Sequence, residues 1–130
     1  METKTSAHIV SRLEAPMWFS ATLCMKEDIS FMKQLLTAPI YKQNVPNVYE
    51  RLTTFLSKIN ALSKKVKMFI DEVAVFKESL ENYPEEDNPS FDEYYYGRQK
   101  HFMDDYIKLD TEFLELKSKL YTYLSGILLK

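Results

Sequence analysis

His101 stands three and four positions before Asp104 and Asp105, a spacing that brings an imidazole and two carboxylates to one face of an α-helix. That donor set can hold a divalent metal. Helical bundles that carry metal pairs in their core use Glu-x-x-His segments on two helices plus further glutamates, and this chain contains no Glu-x-x-His. The preferred reading of His101, Asp104 and Asp105 is therefore an exposed polar turn, with a ligand- or metal-binding bundle, enzymatic or not, as the alternative.

The remaining reactive residues lack context. His8 is the only other histidine, so acid–base work would fall to carboxylates, lysine or tyrosine, none of which stands out. No serine sits in a nucleophile elbow, and two glycines cannot build a phosphate-cradling loop. Cys24 lies in an apolar run and reads as a packed thiol; being the only cysteine, it forms neither an intrachain disulfide nor a zinc ligand set. Glu85, Glu86, Asp87 and Asp92 lack the glycine and the alternating ligands of a calcium loop and read as a solvated turn. No catalytic, cofactor-binding or metal residue is assigned, and the chain is not expected to be an enzyme or to carry a cofactor.

A net charge of −2 argues against the overall footprint of a nucleic-acid binder. Lys58, Lys64, Lys65 and Lys67 form a local basic cluster, but no base-reading or stacking groups can be placed beside it, so no specific nucleic-acid partner is expected. The N-terminal stretch is broken by Arg12, Glu14 and Pro16 and lacks the apolar core of a signal peptide, which points to a cytoplasmic location. No apolar run approaches the roughly 18 to 20 residues that cross a bilayer, so no membrane contact is expected.

The elements that position these side chains follow from apolar spacing. Val48, Leu52, Phe55, Ile59, Leu62, Val66, Phe69, Val73, Phe76, Leu80 and Tyr83 recur at alternating intervals of four and three, the seam of one long helix over residues 47 to 83. Pro46 precedes it, and Asn47 with Glu50 suggests a capping box. A second seam, Tyr95, Phe102, Tyr106, Leu109, Phe113, Leu116, Leu120, Tyr123 and Ile127, predicts a helix over 90 to 129, with Gln99 as its one polar member and Ser90 and Glu93 as its capping box. The short connection Asn82 to Pro89 makes these two an antiparallel hairpin, pairing residues whose numbers sum to about 174. That register levels the basic cluster with Asp110, Glu112 and Glu115, and Asp71 and Glu72 with Lys100 and His101.

The last helix carries a second stripe, Ile107, Leu114, Tyr121 and Leu128 beside Met103 and Leu124, that one neighbour cannot cover. Trp18, Met25, Ile29, Met32 and Leu36 supply a third helix over residues 17 to 37. Upstream, Ile9 and Leu13 are out of phase with this row across Pro16, which predicts a kink or an extra short N-terminal helix, residues 1 to 16 forming a flexible or kinked extension. The expected architecture is all-α: an elongated antiparallel bundle of three main helices in one domain spanning residues 1 to 130.

Function is then sought on the surface. Tyr94, Tyr95 and Tyr96 point in three directions, so at least one must be exposed, and Ile70 and Met103 flank the seam near the hairpin tip and need cover. Cover comes either from the N-terminal segment or from a second copy in a homodimer. The expectation is a non-catalytic helical interaction or scaffolding module that binds a protein partner, with Tyr94, Tyr95, Tyr96, Ile70 and Met103 as candidate contact residues.

Overall fold

The computed structural model describes residues 7–82 and 89–129, with side chains over 9–82 and 93–129. The proposed turn between Asn82 and Pro89, with Tyr83 and the acidic Glu85, Glu86 and Asp87, lies outside the described residues, as do the side chains of His8, Ser90 and Asp92. The described residues form three helices: α1 (Ala7–Thr37), α2 (Val48–Glu81) and α3 (Pro89–Ile127). At ~1.5 Å per residue they measure about 46, 51 and 58 Å, so the bundle is a rod.

The hairpin of α2 and α3 has the expected register. Lys65 Nζ sits 3.0 Å from Glu112 Oε1, Tyr95 donates its hydroxyl to Ser79 O at 3.1 Å, and the Phe55 and Tyr123 rings lie 5.7 Å apart. The buried row Phe55, Ile59, Leu62, Val66, Phe69, Val73, Phe76 and Leu80 of α2 is the seam read from the sequence. It starts differently at its N-terminus. Asn47 adopts a left-handed conformation (φ 62°) and makes no side-chain cap, because capping by the side chain needs an extended backbone there. The helix opens instead with the Arg51 amide donating to Asn47 O at 2.9 Å.

The first helix corrects the sequence reading. From Ala7 it runs unbroken through Pro16, so among the described residues there is no separate N-terminal piece. Ile9 and Leu13 are not its inward residues but face solvent; the buried row is Ser11, Ala15, Trp18, Thr22, Met25, Ile29, Met32 and Leu36, which keeps its phase across the proline. Burial of this row packs both halves against the bundle, and the Arg12 side chain fixes the end by donating from Nε and Nη2 to Leu80 O at 3.2 and 3.0 Å. The N-terminal half of α1 therefore lies against the last turns of α2, where Ile70 is half-buried, but it leaves Met103 exposed.

Glu14 meets Gln99, Trp18 meets Phe102 and Asp28 meets Lys117, so α1 runs parallel to α3 and antiparallel to α2. At the other end of the rod, the loop after α1 caps α3: Lys42 donates its amide to Ile127 O at 2.7 Å and Leu129 to Ile40 O at 2.8 Å. The first of these bonds satisfies a carbonyl that the C-terminus of α3 leaves open, and the second ties the chain after α3 to the loop. Tyr41 is buried at this junction and donates its hydroxyl to Leu35 O, and burial pushes its pKa up.

Phe102 is fully buried where all three helices meet. Its ring lies 4.8 Å from Phe76 in a stacked arrangement, 6.0 Å from Phe69 edge-on and 6.2 Å from Trp18. The Phe102→Ala variant should lose about 3 to 5 kcal/mol of unfolding free energy by urea titration, the usual cost of a Phe-sized cavity. Replacing Pro16 by Ala restores a donor to α1 and should raise the thermal midpoint, the interior propensity difference being up to about 3 kcal/mol.

Candidate interaction face

α1 presents a row of outward apolar residues. Leu13 and Met17 are each 68% exposed, Phe31 is exposed, and Cys24 between them is exposed as well, so the thiol is not packed as its apolar surroundings suggested. Asp28, which reaches across to Lys117 of α3, lies eleven positions from Met17, a span over which a helix ends about 20° from where it began. Leu13, Met17, Cys24 and Phe31 therefore occupy the α3-facing shoulder of α1.

α3 answers with its own row. Gln99 and Lys117 face α1, and Met103, Ile107 and Leu114 stand at three- and four-residue steps from them, one row further out. All three are exposed, Ile107 and Leu114 by more than half. The expectation that a third helix covers this stripe holds for Leu124, which is buried, and for half-buried Tyr121; Met103, Ile107, Leu114 and Leu128 stay exposed, because α1 sits over the central seam and not over its flank. The two rows flank the α1–α3 contact on either side of its polar pairs, Glu14 with Gln99 and Asp28 with Lys117. Exposed apolar rows rimmed by polar residues mark candidate interaction sites on folded proteins.

The residues singled out from the sequence separate by depth. Tyr95 is 6% exposed and packs at 5.9 Å from Phe76, so it belongs to the core, while Tyr94 and Tyr96 on either side are exposed. Ile70 is half-buried against the core, on the flank of α2 from which Lys77 reaches the Phe19 ring of α1. Met103 is exposed and belongs to the apolar face just described. Gln99, the one polar member of the α3 seam, donates to Glu14 Oε1 at 2.9 Å and is thereby satisfied within the bundle.

His101 and Asp105 are paired, Nε2 to Oδ2 at 3.2 Å, whereas Asp104 points elsewhere and is exposed. Of the four lysines of the basic cluster, Lys65 is engaged with Glu112. No described helix is long and apolar enough to cross a membrane. The row Leu13, Met17 and Phe31 was the part that sequence reasoning missed, although its heptad-like spacing through Cys24 was visible.

Comparison with protein-family models, curated proteins and solved structures found no match to the chain.

The split of the three tyrosines can be measured. Tyr95→Phe should cost about 1 kcal/mol by removing the bond to Ser79. Tyr94→Ala and Tyr96→Ala, both at exposed positions, should each stay within about 0.5 kcal/mol of the parent in the same urea titration.

Proposed function

We propose that the chain is a non-catalytic helical interaction module whose α1–α3 face seats a second copy of itself in antiparallel orientation. The observation that carries this reading is the pair of exposed apolar rows, Leu13, Met17 and Phe31 on α1 with Met103, Ile107 and Leu114 on α3.

The rows share one centre. Met17 and Phe31 stand seven positions on either side of Cys24, and Ile107 and Leu114 are spaced evenly about the midpoint of Asp110 and Thr111. The contacts of Trp18 with Phe102 and Asp28 with Lys117 bring those two centres to the same level of the rod. A single two-fold axis through that level then sets Met17 against Phe31 of the second copy and Ile107 against Leu114 of the second copy, an isologous arrangement.

Sedimentation equilibrium at micromolar concentration should give the mass of two chains for the parent. For Met17→Glu combined with Ile107→Glu it should give the mass of one, with helical circular dichroism unchanged because both positions are exposed. A short bismaleimide should link two parent chains through Cys24, which lies on the axis, and should link none in Cys24→Ser or in the double Glu variant. A single-chain mass for the parent throughout the tens-of-micromolar range sinks the reading, and so does a two-chain mass that survives both glutamates.

A further inference from the structure

On the other shoulder of α3, two helices bring metal-ligating groups together. Glu72 of α2 and His101 and Asp105 of α3 place one ligand atom each within 4.8 Å of one another. His101 and Met103 are two positions apart, about 200° around the helix, so this cluster and the apolar face lie on different sides of the rod. We infer that Glu72, His101 and Asp105 form a binding site for one divalent transition-metal ion of the zinc class, which links α2 to α3.

The donor set fits that class. One imidazole nitrogen and two carboxylate oxygens are three of the four ligands of a tetrahedral zinc, and the fourth position is open to water. Bond lengths near 2.0 to 2.2 Å set ligand atoms about 3.4 Å apart, so two exposed side chains and the half-buried Asp105, already within 4.8 Å, need only rotamer adjustments to close on an ion. The helical offset of four residues between His101 and Asp105 aims both side chains at the same point, and their 3.2 Å contact shows the aim is realised.

Electrostatics favours a cation there. Glu72 and Asp105 stand close enough to repel each other, and they line one shallow cleft of about 320 Å³ with Lys65, Met68, Phe69, Lys108, Leu109 and Glu112. Lys65 already serves Glu112, which leaves Lys108 as the cleft's remaining lysine against two carboxylates. An ion with two positive charges and an affinity for imidazole neutralises both carboxylates at once, and the backbone beneath is held by the buried Phe69, Val73, Phe102 and Leu109.

The test uses the full chain without an affinity tag and zinc chloride as the probe. Isothermal titration should find one zinc per chain, and the thermal midpoint should rise with zinc until the site saturates. His101→Ala and the isosteric Glu72→Gln should each lose the binding and the midpoint shift, with circular dichroism unaltered. His8→Ala and Asp104→Asn should keep both. Cobalt added to the parent should give the visible bands of a tetrahedral site, and these should vanish in His101→Ala. Absence of stoichiometric zinc, retention of binding in His101→Ala, or its loss in His8→Ala would each overturn the assignment.

Discussion

Burial of the Phe102 ring is the constraint from which the rest of the surface follows. The ring has no exposure and touches Phe69, Phe76 and Trp18, so every helix is fixed in rotation about it. A residue on a helix is turned about 100° from its neighbour. With Phe102 pointing inward, His101 must emerge on the shoulder next to α2 and Met103 on the shoulder next to α1. The polar cluster with Glu72 and the apolar row with Met17 are thus two outcomes of one buried side chain. Arg98 adds to the arrangement, its guanidinium lying 4.9 Å from the centre of the same ring.

The seams were legible because alternating steps of four and three over more than thirty residues leave little freedom in which face is buried. The α2 and α3 seams and their antiparallel register therefore match the structure closely, as do Trp18 to Leu36 in α1. What failed was local. At Pro16, the apolar Ile9 and Leu13 suggest a change of phase, whereas the core there is made by small Ser11 and Ala15. Close approach of α1 to the end of α2 favours small side chains there, and hydropathy alone ranks them low. At Asn47, the capping box was a correct residue pattern on a backbone that turned left-handed instead.

The candidate sites were legible to different degrees. The hairpin register already levelled Glu72 with His101, but only as part of a charge pattern, and the metal reading of His101 stayed on its own helix with Asp104 and Asp105 taken together. Choosing between those neighbours requires knowing which way Phe102 points. The apolar face needed still more, since exposure of Ile107 and Leu114 depends on where α1 sits over α3, a tertiary fact that no single helix encodes.

The composition of that face bears on the strength of any pairing. Obligate interfaces resemble a domain core cut in half and are continuously apolar. Here the core is already complete within one chain: Gln99 is satisfied by Glu14, Thr22 donates to Trp18 O, and the rows Met25 to Leu36 and Leu109 to Ile127 are buried without outside help. The exposed rows are interrupted near their centre by Asp110 and Thr111 and rimmed by Asp104, Lys100 and Lys117. A polar rim around a modest apolar strip is the composition of interfaces that form between independently folded partners. On the proposed reading the single chain therefore folds first and pairs second, and association responds to concentration without deciding whether the bundle exists.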